Sequence, residues 1–214
     1  MLLKAANFLK INGLYVFSSE LLRRSSTMLR SRMIGRKLKT KGLQIGPRSF
    51  VRGLAFMQIG NNFHAADGLW LEAISTFYDQ SFSPRIVIGD NVTISRWTHI
   101  AATNYVEIGA NTLIGSKVII TDHNHGQYKG LHSSPEISPE LRPLDRDKDV
   151  VIGRNVWLGD GVVVAPGSKI GDGSIIGGNS VVHGTIPAYH IAAGAPARVL
   201  KCYNFELQNW IRIE

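Results

Sequence analysis

The segment Thr121-Asp122-His123-Asn124-His125-Gly126 places two imidazoles and a carboxylate side by side. An imidazole titrates near neutrality, so it can take the proton from a hydroxyl while the oxygen attacks an electrophilic carbon. The oxyanion created by such an attack needs donors, and backbone N–H groups at glycine-rich corners can supply them. In an extended segment His123 and His125 point the same way. Asp122 can fix a histidine tautomer only if its own side chain turns back. Immediately afterwards comes QYKGLHSSPEISPELRPLDRDKD, residues 127–149, with three prolines, mixed charge and no period. A loop of that length inside a compact domain is usually functional or disordered, and its place directly after the histidines favours function.

The elements that must position these residues lie on both sides of the loop. From Val150 to Val182 an aliphatic residue returns every six positions, at Ile152, Leu158, Val164, Ile170, Ile176 and Val182. Neither an amphipathic helix nor a half-buried strand has that period. A triangular coil does, if each hexad is a short strand plus a corner and the aliphatic residues stack along the axis. The following position is small at Gly153, Gly159, Ala165, Gly171 and Gly177. The fifth position of the hexad is small or β-branched at Val156, Val162, Ser168, Ser174 and Ser180, which suits a second inward side chain near a corner. An earlier run has the same phase at Ile88, Ile94, Ile100, Ile108, Ile114 and Ile120, with two residues inserted between Ile100 and Ile108. Such insertions map to one edge of a repeat stack, often the functional one. The period begins weakly at Ile45-Gly46, Val51 and Ile59-Gly60, and residues 65–85 lose it, which predicts an irregular coil there.

The formal charge of +8 is unevenly distributed, because residues 1–41 contain ten Lys/Arg and a single acid, Glu20. The basic character therefore belongs to an arm. Leu2, Leu3, Ala6, Leu9 and Gly13, then Leu14, Phe17, Leu21, Leu22 and Met28, follow a helical pattern, with Arg23, Arg24, Arg30 and Arg32 beside them. Such an arm can pack on the end of the prism, pack on a partner subunit, or lie on an anionic membrane surface. It lacks the interleaved aromatics expected of a nucleic-acid binder. Lys4, Lys10 and Asn12 break the apolar run before it could span a bilayer, and no secretory cleavage site follows. The one cysteine, Cys202, excludes an internal disulfide and fits a reducing compartment.

The hexads, the Asp122–Gly126 motif with its Pro-rich excursion, and the terminal IPAYHIAAGAPARVLK together resemble the hexapeptide-repeat acyltransferases. The likeness is closest to the bacterial O-acetyltransferases that decorate lipopolysaccharide, O-antigen or capsular glycans. It implies an all-β fold, a left-handed parallel β-helix over residues 43–200, with a basic helical arm at 1–42 and a C-terminal cap at 201–214. It implies a homotrimeric, cytoplasmic, acetyl-CoA-dependent enzyme without a metal, acting on a free or lipid-linked glycan, with the arm able to touch the inner membrane face. His125 stands where the family's general base stands, counted from Ile120, and His123 is the second candidate. Coenzyme A would lie against Trp157, Gly159, Gly177 and Gly178, with Arg198 and Lys201 at its phosphates. On the acceptor side are Asp122, Ser95 and Thr103; the last two replace an Asn and an Asp of the sugar acetyltransferases, which leaves acceptor identity open. The γ-type carbonic anhydrases share the β-helix and bind a metal through three histidines. His99, His123 and His125 could serve in that way, although the motif and loop resemble the acetyltransferases more. A fold that hosts many chemistries also admits a non-sugar acceptor, or an inactive trimeric scaffold.

Overall fold

The computed structural model describes residues 2–128, 133–145 and 148–213. The side chains of residues 2–9, 12, 17, 20, 21, 23 and 24 lie outside the described residues. With them goes the part of the predicted arm face formed by Leu2, Leu3, Ala6, Leu9, Phe17, Leu21, Arg23 and Arg24.

From Gln44 to Ile186 the chain climbs through six triangular coils, each made of three short strands separated by corners. Equivalent strands pair in parallel and build three faces. The first face begins with Gln44–Ile45 and His64–Ala65 and runs through Thr93–Ile94, Leu113–Ile114 and Trp157–Leu158 to Ile175–Ile176. The second face stacks Phe50–Arg52, Trp70–Ala73, His99–Ala102, Ile119–Thr121, Val163–Val164 and Val181–Val182. The third stacks Met57–Ile59, Arg85–Ile88, Tyr105–Ile108, Val150–Ile152, Lys169–Ile170 and Thr185–Ile186. The first corner joins the first and second faces, the second joins the second and third, and the third leads to the next coil.

Every aliphatic residue of the two predicted runs is buried on the axis, and each such side chain contributes about 1.5–3 kcal/mol on leaving water. The fifth-position residues point inward too. Where they are polar, their hydroxyls donate to backbone carbonyls: Thr98 to Gly115 O at 3.0 Å, Thr112 to Gly153 O at 3.0 Å and Ser168 to Val182 O at 2.9 Å. A buried hydroxyl bonded in this way carries little desolvation penalty. At the third corner Asn62, Asn91 and Asn111 adopt φ of 57°, 57° and 59°, a conformation in which Asn is among the few tolerated residues. Their amides form a ladder, Asn62 donating to Asn91 and Asn91 to Asn111, each at 3.0 Å.

Residues 65–85 correct the sequence reading. Ala65 pairs with Ile94, Leu71 with Ile100 and Ile88 with Ile108, so all three faces of this coil keep the phase. Only residues 74–84 depart, as a small antiparallel hairpin of Thr76–Phe77 and Gln80–Ser81. All the irregularities of the climb fall at the second corner: a 3-10 turn at Leu54–Phe56, this hairpin, the inserted Thr103 and Asn104, and the excursion 122–149.

The arm is helical from Leu2 to Leu38, broken at Gly13 where φ is 77° and ψ 166°. Its last turns close the lower end of the prism. Ser31 is buried, its hydroxyl accepting the Ile45 N–H at 3.0 Å, and Ile34 and Leu38 pack on the core. Ile11, Leu14, Leu22, Leu29 and Met33 stay exposed. Among the described residues no helix is long and apolar enough to cross a membrane. At the upper end His190–Gly194 joins the first face in parallel; Ala197–Asn204 and Asn209–Arg212 then extend that face antiparallel. Tyr189, Tyr203, Phe205 and Trp210 pack edge to face there, at centroid distances of 5.0–5.2 Å.

Candidate active site

The excursion leaves the second face after Thr121, and the first residue of it turns inward. Asp122 is fully buried. Its Oδ1 accepts Thr103 N at 2.9 Å and Thr103 Oγ1 at 3.2 Å, and its Oδ2 accepts Asn104 N at 2.7 Å. The Nδ1 of His123 completes the set, 2.8 Å from Oδ1. With its acceptor sites taken and no exposed surface, Asp122 does not touch an acceptor sugar in this arrangement, which corrects its expected role. It ties the corner of the third coil to that of the fourth and fixes the His123 ring, the turning back that the sequence reading required. Thr103, expected beside the acceptor, spends its hydroxyl on Asp122. Ser95 lies at the first corner, at the other edge of the second face, and does not join this group.

His123 has only 10% of its side chain exposed. Thr121 donates its hydroxyl to the His123 carbonyl at 3.1 Å, so the residue is held at ring and backbone alike. His125 is different. Its side chain is exposed, and its ring makes no hydrogen bond among the described residues. Its backbone is pinned by an antiparallel bridge to Leu144, by the Tyr128 hydroxyl donating to its carbonyl at 2.7 Å, and by Gly126 N donating to Pro143 O at 2.8 Å. The ring of Phe77 meets the imidazole edge to face at 5.4 Å.

Phe77 belongs to the hairpin of the second coil, which also holds the far side of the excursion. Gln80 accepts the Leu144 N–H at 2.7 Å and donates to the Leu144 carbonyl at 3.3 Å. The Leu144 side chain is buried, and Tyr78 donates its hydroxyl to Glu140 at 3.2 Å. Sequence reasoning missed Phe77, Tyr78 and Gln80; the only signal for them was the loss of period.

On the second face, beneath His123, His99 stacks on Trp70 at 4.8 Å. Burial pushes the His99 imidazole below its ordinary value; neighbouring Glu72 opposes that shift and His123 adds to it. Glu72 is itself held by Trp70 Nε1 at 3.0 Å and by Arg52 at 3.3 Å. Within one chain, the described residues contain no group of three His, Cys, Asp or Glu side chains arranged to hold a metal, so His99, His123 and His125 are not gathered into one.

The residues expected to meet coenzyme A lie elsewhere. Trp157 is half exposed on the first face, between Leu113 and Ile175. Arg198 and Lys201 are exposed on the antiparallel extension of that face. Gly159, Gly177 and Gly178 sit at the first corner, where the stacking of coils already demands small residues. A Cβ on Gly159 would lie 2.6 Å from Gly178 N, and one on Gly177 would lie 2.9 Å from the Ala193 Cβ. In a triangular prism the first face is opposite the second corner, so one chain does not bring this set to His125.

The bacterial transferase hexapeptide (six repeats) model matches residues 149–184. The chain is 44% identical over 163 residues to "Putative lipopolysaccharide biosynthesis O-acetyl transferase WbbJ" of Escherichia coli (strain K12), covering 75% of this chain and 79% of that protein. Among solved structures it is similar to AntD, an N-acyltransferase from Bacillus cereus in complex with dTDP and 3-hydroxybutyryl-CoA, with a TM-score of 0.62, 20% identity, and 78% and 84% of the two chains covered. It is similar also to a hexapeptide-repeat containing acetyltransferase of Vibrio cholerae O1 biovar eltor complexed with acetyl coenzyme A, with a TM-score of 0.53, 23% identity, and 83% and 78% covered. A galactoside acetyltransferase in complex with coenzyme A gives a TM-score of 0.50 at 26% identity, with 78% and 73% covered. The coil is thus the left-handed parallel β-helix of these proteins, and the chain belongs to the family of bacterial hexapeptide-repeat transferases.

Proposed function

We propose that this protein is an acetyl-CoA-dependent O-acetyltransferase that acetylates a sugar hydroxyl of a bacterial surface glycan, with His125 as general base. The observation that carries the assignment of the base is the contrast between the two histidines. His123 is nearly covered and spends Nδ1 on a buried carboxylate, whereas His125 presents an unbonded imidazole at the surface on a backbone fixed from three directions. A base must reach the proton that it removes. The acceptor O–H gives its proton to a His125 ring nitrogen as the oxygen attacks the thioester carbonyl. The tetrahedral intermediate then collapses, the C–S bond breaks, and coenzyme A leaves as the thiol with the proton returned by His125. No acyl-enzyme forms.

Trp157, Arg198 and Lys201 lie on the face opposite the second corner, which supports a site shared between subunits of a homotrimer, the first face of one chain against the second corner of the next. The acceptor class rests on the 44% identity to the relative named for lipopolysaccharide biosynthesis. The exposed Leu22, Leu29 and Met33, seven and four residues apart on a basic arm, support peripheral contact with the inner membrane face, where lipid-linked glycans are assembled. Replacing His125 with Ala should lower kcat by about 10²–10⁴ without changing the fold or assembly, measured as thiol release from acetyl-CoA across a panel of sugar acceptors. A folded variant with near wild-type turnover would refute the assignment.

A further inference from the structure

A second candidate site lies at the lower end of the prism, at a different corner from His123 and His125. Between the last turns of the arm and the first corner of coils one to three runs a groove of about 920 Å³. Arg32 and Arg36 enter it from the arm, four residues apart and therefore on one helical face. Lys39 and Lys41 line it from the link to the first coil, and Arg96 from the corner of the third coil. All five cations are exposed, and none of them has an ion-pair partner among the described residues. The one carboxylate in the lining, Asp67, is already paired with Arg48 at 3.2 Å. The floor is apolar and close-packed, with Ile45 and Ala65 fully buried.

Five like charges around one concavity repel one another, and a low-dielectric floor concentrates their field. The chemistry that matches is a compact polyanion whose oxygens take several guanidinium and ammonium donors at once. A monoanionic carboxylate would leave most of them uncompensated. We propose that this groove binds a diphosphate ester. The identification of that ester with the carrier group of the sugar acceptor rests on the acetyl transfer proposed above; the binding of the diphosphate does not. The two sources of such a group are a prenyl diphosphate and a nucleoside diphosphate.

The test uses the full chain in its native assembly, without acetyl-CoA, and isothermal titration with geranyl diphosphate, UDP and inorganic phosphate. Both diphosphates should bind more tightly than phosphate, more weakly as salt is raised, and at least tenfold more weakly to the chain carrying Arg32→Gln and Arg36→Gln. Tighter binding of geranyl diphosphate assigns the groove to a lipid-linked ligand, and tighter binding of UDP to a nucleotide-linked one. No saturable binding of either, as when a neighbouring subunit fills the groove, overturns the proposal. So does a double variant that binds like the wild type. The same variant should release thiol from acetyl-CoA at the wild-type rate with a small neutral sugar. If even the wild type releases none, the acetyl-transfer reading fails while the diphosphate measurement stands.

Discussion

At the scale of single residues, the short run Asp122–His125 divides its labour by burial. Asp122 spends both its oxygens on the protein, His123 spends its Nδ1 on Asp122 and keeps Nε2 unbonded, and His125 has neither ring nitrogen bonded among the described residues. What keeps an exposed imidazole in place is therefore decided by neighbours. Gln80 is the most consequential of them, because one amide satisfies both backbone groups of Leu144, the residue bridged to His125. Gln80→Ala would leave the Leu144 N–H without its partner, at about 1–3 kcal/mol. If the loop then drifts, kcat should fall about tenfold or more, while the KM for acetyl-CoA stays within about twofold because the donor contacts proposed above belong to another face. Gln80→Glu keeps the acceptor for that N–H and should restore most of the rate. An unchanged kcat in the Ala variant would remove Gln80 from the machinery.

At the scale of elements, most of the prism was legible because its rule is local. Ile88 to Ile120 and Ile152 to Val182 each carry one aliphatic phase residue per hexad, with only the step from Ile100 to Ile108 stretched to eight, and every one of them is buried. The lower coils were harder to read: Ala65 stands inward where a larger aliphatic residue would have marked the phase, and the hairpin at 74–84 breaks the count. The handedness came from resemblance, since spacing does not distinguish a coil from its mirror image. The site was legible only as far as the histidines. The Gln80–Leu144 contact joins residues 64 positions apart, and nothing in either local sequence announces the other. The arm was half legible. Its helical pattern is present, but its end is committed to the core through Ser31, Ile34 and Leu38. The proposed membrane contact is therefore left to the exposed side of the arm, Ile11, Leu14, Leu22, Leu29 and Met33, most of which precedes Ser31. A chain lacking residues 2–26 should keep its prism and lose flotation with anionic vesicles at low salt. Flotation equal to that of the full chain would exclude the arm as the anchor.

At the scale of the whole molecule, the opposition of the first face and the second corner makes a prediction about assembly. If each site takes His125 from one chain and Trp157 from the next, chains carrying His125→Ala and chains carrying Trp157→Ala complement each other. In randomly mixed trimers about a quarter of the interfaces would carry both native residues, and activity should return to about that fraction. No recovery in verified mixed trimers would place the two residues in one chain's site.

The confinement of every irregularity to one corner also bears on how the chain folds. Contacts between successive coils span about one turn of chain where the climb is regular, as in the 18 positions from Arg154 to Asp172. Across the excursion they span 44, from Ser116 to Asp160. Closing the longer loop costs only about 0.8 kcal/mol more in chain entropy, a small addition for a stack held by so many buried aliphatic residues. The upper coils, with their short closures, can therefore form first and offer a finished edge on which the fourth coil docks. The length and content of the excursion are left almost free to change without disturbing the register above or below it.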